Sequence, residues 1–482
     1  MEQNYVVYHL HDDKGSLLDS CTKWEDYVDL AASYGMKAIA STNHGYNLNW
    51  TEKKQYAEKK GLKFIVGCEV YLTSEIYHYP EIPDEVYESY QGWDPQEAQE
   101  EIGKMMDAER YKVRDNFHTI LLCKNARGVL ELNKVMSTSY DADHKYYKPR
   151  ITFEEFFGLS DNIIKISACL ASPLRKYTSE CDGFRQEVYD KLCETYDYYE
   201  IQYHDCDDQK EYNQYLWELS KKYHKPLIAA TDTHSLNAYK AECRKILMMG
   251  KGIEFTGEDE FDLTFKSHNE LVDAFTVQDA LPREVWMEAI ENTNRMADSV
   301  TDFTLSTKAR YPILTGTSES DANVYIKRTH DMLNDKIRRG IIPEYEVAQF
   351  KADVEEELTV FKKTNMLGFM LSMSDLMIWG KGEGIPFGPS RGSVAGSRCA
   401  FVTDIIDVDP ARWNLVFSRF CNENRVEIGD IDIDVPDAYR PMIYNHIFES
   451  FGREKCAYVL AMGTLAGKAT IDEIGRALAK VW

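Results

Sequence analysis

Long apolar runs are missing from this chain. No stretch approaches the 18 or more hydrophobic residues of a membrane span, and Met1 is followed by Glu2, Gln3 and Asn4 in place of a basic, then apolar, leader. A cytoplasmic protein with no membrane partner is expected. Paired cysteines are missing as well: the 11 cysteines are odd in number, scattered from Cys21 to Cys456, and form no Cys-x-x-Cys pair. That pattern excludes a disulfide framework and a zinc ribbon, and most are expected as free thiols. Basic excess is absent, since 56 Lys and Arg face 80 Asp and Glu for a net charge of −24. Such a charge repels a polyanion at long range and excludes a nonspecific nucleic-acid coat, though not an enzyme with a locally basic groove. Internal repeats and low-complexity tracts are also absent.

What is present is globular material. Hydrophobic residues make up 44% and charged residues 28% of 482 positions, enough for about three domains at roughly 150 residues each. The charge is polarised: Tyr77 to Glu109 is strongly acidic, whereas Lys and Arg gather from Arg391 to Lys480. The C-terminal portion is the better candidate for touching phosphates.

Short apolar or β-branched runs ending in polar residues recur at Tyr5–His11, Ala38–His44, Phe64–Tyr71, His118–Cys123, Ile163–Cys169, Tyr199–Tyr203 and Pro226–His234. Helix-like stretches such as Trp24–Tyr34 and Asp190–Tyr199 lie between several of them, so an α/β barrel or layered sheet is expected. Ser267 to Thr364 reads mostly helical, broken by a turn-rich link at Leu305–Ser320, and a domain boundary is expected near residue 275. Past Phe387 come a Gly-rich stretch, a strand-like Val426–Val435, and helical patterns that reach Trp482 without a stop signal. The C-terminus therefore reads as cut short.

The first chemical pattern is His9-Leu10-His11. Residues two apart on a strand share a face, so both imidazoles can reach one metal, and Asp232-Thr233-His234 repeats the arrangement. Other strand ends add Asp19, His44, Glu69, His118 and Cys169. A single such residue is more often a satisfied core or surface group; the set, at the strand termini where α/β folds place their sites, points to metal. Five His, two Asp, one Glu and one Cys suit zinc, manganese or iron and exceed what one ion takes. Several metals with a bridging water imply hydrolysis of a phosphate ester.

These residues, with Ser16-Leu17-Leu18-Asp19 and Asn43-His44-Gly45, resemble the nine-ligand signature of the polymerase-and-histidinol-phosphatase (PHP) family. The resemblance implies a distorted (βα)7 barrel holding two to three Zn2+, Mn2+ or Fe2+ ions. Asn43 stands where that family usually shows Asp and is expected to lie behind the ligands, and one extra residue separates His11 from Ser16.

The second pattern joins Gly388-Pro389-Ser390-Arg391-Gly392-Ser393 to Gly429-Asp430-Ile431-Asp432-Ile433-Asp434-Val435. Small residues let backbone approach a phosphate, and a strand over the second segment would bury isoleucines on one face and array three carboxylates on the other. Such carboxylates repel unless a cation joins them, and Mg2+ bridging them to a nucleotide's phosphates is the natural use; an exposed edge strand guarded by charge is the bland alternative. With Asp407-Val408-Asp409-Pro410 and Gly463-Thr464-Leu465-Ala466-Gly467-Lys468, the segments resemble the palm of the C-family bacterial replicative DNA polymerases. That resemblance implies an α+β, polymerase-beta-like nucleotidyltransferase fold. In it Asp430 and Asp432 are catalytic metal ligands, Gly392, Ser393 and Arg419 bind triphosphate, and Asp434 is acidic without being a catalytic ligand. Ser390 replaces a usual glycine.

The implied order is a PHP domain over 1–275, a palm over 276–436 with helical segments, and the start of a thumb over 437–482. The third catalytic aspartate and the fingers of that family are missing, so the chain alone is expected not to extend a primer. Primer–template DNA and deoxynucleoside triphosphates are the expected partners, with a second chain supplying the rest of thumb, palm and fingers. The resemblance further implies 3′-to-5′ exonuclease proofreading at the PHP metals. Two alternatives stand beside it: an independent phosphoesterase acting on a small phosphomonoester, and a replication scaffold whose metals only stabilise the barrel.

Overall fold

The recurrent apolar runs become strands, mostly shorter than the runs themselves. The computed structural model describes every residue except 1–3, 17–18, 80–82, 182, 254–260, 307–309, 423–428, 462, 464–465 and 480–482. Among the described residues the strands are β1 Ala38–Ser41, β2 Lys63–Thr73, β3 Tyr77–His78, β4 Tyr111–Lys112, β5 Phe117–Cys123, β6 Arg150–Thr152, β7 Ile163–Ile166, β8 Tyr199–Gln202 and β9 Leu227–Ala230.

β1 runs parallel to β2, and β2 also carries antiparallel β5 and parallel β6. β5 pairs antiparallel with β7, and β8 parallel with β9, while β3 and β4 form a separate hairpin-like pair. Single bridges extend these ladders from Val7 to Ile39, Ile166 to Tyr198 and Leu10 to Thr233. The expected strand Tyr5–His11 exists only as bridges. Side-chain hydroxyls occupy ladder positions there: Val6 N–H donates to Thr293 Oγ1 at 2.9 Å and Leu10 N–H to Thr42 Oγ1 at 2.8 Å. Every residue of β1, β7, β8 and β9 is buried, as in strands covered on both faces. Alternate residues feed two cores: Tyr5, Val7 and Ile39 enter the larger, and Val6, Tyr8, Ala38 and Ala40 the smaller.

The helix Trp24–Ser33 buries Trp24, Tyr27, Val28 and Ala31, the spacing of one helical face. Truncating Trp24 to Ala would cost about 3–5 kcal/mol. Further along, the expected helix Asp190–Tyr199 is shifted to Gln186–Thr195, because Tyr199 is the first residue of β8.

The chain divides into two compact units, Met1–Leu305 with Thr464–Trp482, and Ser306–Gly463. The expected boundary near 275 falls inside the first of these units. Helix Arg283–Ser299 belongs to the first unit because Asn292 Nδ2 donates to Leu227 O at 2.8 Å and Thr293 holds Val6. The expected thumb start over 437–482 is also divided. Helix Gly467–Ala479 packs on helix Ala238–Lys251 of the first unit, with Lys251 Nζ 3.3 Å from Glu473 Oε1, whereas helix Arg440–Phe451 stays in the second.

The second unit is helical, with Ser318–Arg338, Val347–Lys363, Leu367–Gly382 and Arg398–Val402 around Tyr325, Phe350, Val354, Phe361 and Met370. Buried Glu357 holds the start of the short helix by accepting from Arg398 N–H at 2.8 Å, Cys399 N–H at 2.9 Å and Ser397 Oγ at 2.7 Å. The strand expected over Val426–Val435 is not formed in its described part, 429–435. A strand needs a ladder partner, and only Gly388 N–H, donating to Asp434 O at 2.9 Å, bonds this backbone among the described residues. The alternation nevertheless survives: Ile431 packs against the core and Asp430, Asp432 and Asp434 are exposed. No helix of the described residues is long and apolar enough to cross a membrane.

Candidate metal centre

His9 and His11 project from a segment clamped to the end of β9, His11 N–H to Thr233 O at 2.8 Å and Thr233 N–H to His9 O at 3.0 Å. That register sets the His-x-His pair beside the Asp-x-His pair. β1 delivers His44, bridged to Glu69 on β2. Because β5 is antiparallel, its first residues, and hence His118, reach the rim where the parallel strands end; His118 N–H bonds Ala171 O at 3.0 Å. Cys169 follows β7 on the same rim, with Sγ 3.7 Å from His118 Nδ1. Non-glycine residues with left-handed backbone occur at two of these turns, Ala168 (φ 61°) and Asp232 (φ 45°), a strain that marks functional turns.

All nine candidates converge. His9 Nε2 and His11 Nε2 lie 3.0 and 3.4 Å from Asp232 Oδ1, His118 Nδ1 lies 2.6 Å from Glu69 Oε1, and His44 Nδ1 contacts Glu69 Oε2. Asp19 Oδ2 is 3.0 Å from His44 Nε2 and 3.3 Å from His234 Nε2, and Arg244 grips its other oxygen. The His11 ring stacks on those of His44 and His234 at centroid distances of 4.0 and 4.1 Å.

The donor set fits metal ions. His9 Nε2, His11 Nε2, His44 Nδ1, both oxygens of Glu69 and Asp232 Oδ1 are buried without a hydrogen bond among the described residues. Orphans of that kind are costly unless something else binds them. Three trios have donor atoms within 4.8 Å of one another: His11, His44 and His234; His9, His11 and Glu69; His44, Glu69 and His118.

Without ions the charges lean on one another. Burial opposes charge on His9 and on His44, but Asp232 and Glu200 hold His9 well above its usual range, and Glu69 and Asp19 lift His44 to about 10. His11 is pushed well down, by burial and then by His44 and His234. Burial acts against charge on Glu69 and Asp232 as well, yet His118 and His44 keep Glu69, and His9 keeps Asp232, well below the usual carboxylate range.

Behind the ligands lies a network of which sequence reasoning expected Asn43 but not Glu200, Asp12 or Lys53. Glu200 on β8 accepts from His9 Nδ1 at 2.8 Å, Tyr8 Oη at 3.0 Å and Gln202 Nε2 at 2.8 Å. His11 Nδ1 donates to Ser16 Oγ at 3.0 Å, Ser16 to Asn43 Oδ1 at 3.0 Å, and Asn43 Nδ2 to Asp12 Oδ2 at 3.1 Å, where Lys53 Nζ pairs at 2.6 Å. Asn43 therefore lies behind His11. A charged residue inside the apolar run Tyr199–Tyr203 was the one available signal for Glu200. The centre opens into a cavity of about 1120 Å³, lined also by Lys148, Lys176, Gln202 and His204.

In the second unit the loop and the acidic segment meet in the open. Arg391 reaches Asp434 Oδ1 at 3.2 Å and Asp432 Oδ2 at 3.9 Å. Gly396 allows the Ser393–Gly396 turn to press against the backbone preceding Arg419, since a Cβ there would sit 2.5 Å from Val416 O. Gly392 lies against Asp432 on this exposed side, with Ser393 half-buried next to it, Asp430 exposed two residues before Asp432, and Arg419 at the end of the turn Phe417–Arg419.

Comparison with known proteins finds two domain matches. Residues 8–204 match the PHP domain, and residues 326–481 the bacterial DNA polymerase III alpha NTPase domain. Along nearly its whole length the chain is similar to DNA polymerase III alpha subunits. It is 29% identical over 488 residues to DNA polymerase III subunit alpha of Borreliella burgdorferi, covering 98% of this chain and 39% of that protein. The Aquifex aeolicus subunit is 28% identical over 99% of this chain and 40% of its own length, and that of Treponema pallidum 28% over 98% and 38%. The chain spans about two fifths of the length of these curated relatives. The PHP match stops at residue 204, before Asp232 and His234, which the fold brings to the same centre.

Proposed function

We propose that the first unit is a metal-dependent phosphoesterase whose substrate is the 3′ end of a DNA strand. His9, His11, Asp19, His44, Glu69, His118, Cys169, Asp232 and His234 would hold two to three zinc, manganese or iron ions. The observation that carries this reading is the set of buried nitrogens and oxygens without hydrogen bonds among the described residues, of which His44, Glu69 and Asp232 line one cavity. Bound cations there would supply acidified water and positive charge against phosphoryl oxygens.

The chain's own residues prepare the site. Glu200 keeps the proton on His9 Nδ1, Ser16 does so for His11 Nδ1, and the Asp232 carbonyl for His234 Nδ1 at 2.8 Å, which leaves all three Nε2 lone pairs facing inward. Lys148 and Lys176 bring positive charge to the cavity wall, and a volume of about 1120 Å³ exceeds what a small phosphomonoester needs, which favours a nucleic-acid end. We read the pairings from the N-terminal segment through β1, β2, β5, β7, β8 and β9 as the distorted (βα)7 barrel of the PHP family.

For the second unit the reading is a polymerase palm in which Asp430 and Asp432 carry Mg2+, and Gly392, Ser393 and Arg419 bind the triphosphate of a deoxynucleotide on primer–template DNA. Its support is the meeting of the loop with the acidic segment through Arg391. The test is digestion of a 3′-labelled single strand with manganese, run beside p-nitrophenyl phosphate. Preference for the strand, lost in Asp232→Ala, is expected. Hydrolysis of the small ester alone would support the independent phosphoesterase, and no hydrolysis at all the scaffold.

A further inference from the structure

Two residues past the last residue of β8, His204 lies 3% exposed on the wall of the metal cavity. Neither ring nitrogen has a hydrogen-bond partner among the described residues. The ring is not loosely held: it packs against Tyr203 and Phe261 at centroid distances of 4.9 and 4.7 Å. Its backbone is clamped, with Gln278 Nε2 donating to His204 O at 2.6 Å and to Gln202 O at 2.9 Å. An imidazole buried with both nitrogens unpaired is unfavourable, and fixing it in that state calls for a partner that arrives later. It belongs to none of the trios whose donor atoms come within 4.8 Å of one another, so the partner is not one of those ions.

We propose that His204 is a substrate-contacting residue of the metal cavity, donating a ring N–H to an oxygen of the bound phosphate. This rests on the phosphoester reading for its substrate, but makes a separate claim about binding. Burial, opposed by Asp232 and Asp262, pushes the imidazole down to about 4, so at neutral pH the ring carries one N–H and no charge. A neutral donor suits this wall. It can approach a phosphate oxygen without repelling neighbouring cations, as an imidazolium would.

The test uses the full chain loaded with manganese, and inorganic phosphate as probe, followed by titration calorimetry and elemental analysis. His204→Phe keeps a ring against Phe261 and removes both nitrogens. Phosphate binding is expected to weaken roughly ten- to a hundredfold, as for loss of a hydrogen bond to a charged group, with metal content unchanged. His204→Asn and His204→Gln set an amide N–H near the former Nδ1 and Nε2 positions, and at least one should recover most of the binding. These two also keep the proposal testable if the Phe variant fails to fold, since undiminished loss in both would then overturn it. Loss of metal from the Phe variant would make His204 a ligand instead. Phosphate binding equal to the parent's, or a metal-loaded parent that binds no phosphate, would equally overturn it. A parent that binds phosphate through His204 yet cleaves no ester would remove the phosphoesterase reading and leave this one standing.

Discussion

Both units gather carboxylates, the first among imidazoles and the second beside a guanidinium, but the first encloses them and the second displays them. Glu69 and His9 are wholly buried, and their facing atoms lack hydrogen bonds among the described residues. The side chains of Asp432 and Asp434 are 46% and 57% exposed, and Arg391 stands beside them as a counter-charge. Water and one guanidinium can satisfy the second group, whereas a buried set of like and unlike donors is stable only when cations complete it. Metal and folding should therefore be coupled in the first unit and separable in the second.

The strongest way to break that contrast is Asp232→Ala. Hydrolysis of a 3′-labelled strand should fall on the order of a thousandfold, because metal ions supply several kcal/mol of transition-state stabilisation. Elemental analysis should find transition metal lost, while Asp432→Ala should retain it. Equal metal content in both variants would place the ions elsewhere.

Chelation probes the same coupling without mutation. At ion concentrations near a thousandfold above Kd, bound metal stabilises by about 4 kcal/mol, so stripping it should speed amide exchange across β1, β2 and β9 by that amount. Exchange in helices Val347–Lys363 and Leu367–Gly382 should not move. Uniform loosening of both units would contradict the separation.

Glu200→Gln is a smaller change that tests positioning. The amide cannot hold the His9 tautomer as a carboxylate does, and metal affinity should drop about 10- to 100-fold in a competition titration with the fold retained. An affinity equal to the parent's would reduce Glu200 to a packing residue.

In the second unit a buried carboxylate, Glu357, gives a pH signature. Burial, against the donors from Cys399, Arg398 and Ser397, raises Glu357 from 4.5 to about 6. The folded unit therefore holds this proton more tightly than the unfolded chain does. Its contribution, about 2 kcal/mol, is fully present below the unfolded value and is lost as pH rises through about 6. Comparison of urea unfolding for the parent and Glu357→Gln should show that slope only in the parent. Smallest of all, Arg391→Ala should cost less than about 1 kcal/mol of unit stability, as for an exposed ion pair. A cost of several kcal/mol would mean that the acidic segment is not the open surface described.

Much of the centre was legible in the residues. His9 with His11 and Asp232 with His234 are pairs two apart on extended backbone, and a period of two is a local property that survives even though Tyr5–His11 is held by bridges alone. The alternation of Asp430, Ile431 and Asp432 kept its meaning without a strand, since it states only which side chains face water. The boundary near 275 was not legible. Helix Arg283–Ser299 has the same amphipathic pattern whichever unit covers its apolar face.

The sequence by itself determined the α/β character of the first unit, the candidate ligands and the acidic pattern of the second, because each follows from neighbours a few residues apart. Tertiary structure alone decided what stands behind those ligands. Glu200 meets His9 across 191 positions, Lys53 meets Asp12 across 41, and His204 turns into the cavity because Gln278 holds its backbone from 74 residues away. No local period encodes such meetings; they exist only once the pairing of β8 with β9 and the clamp of β9 on the N-terminal segment have fixed which side chains share the interior.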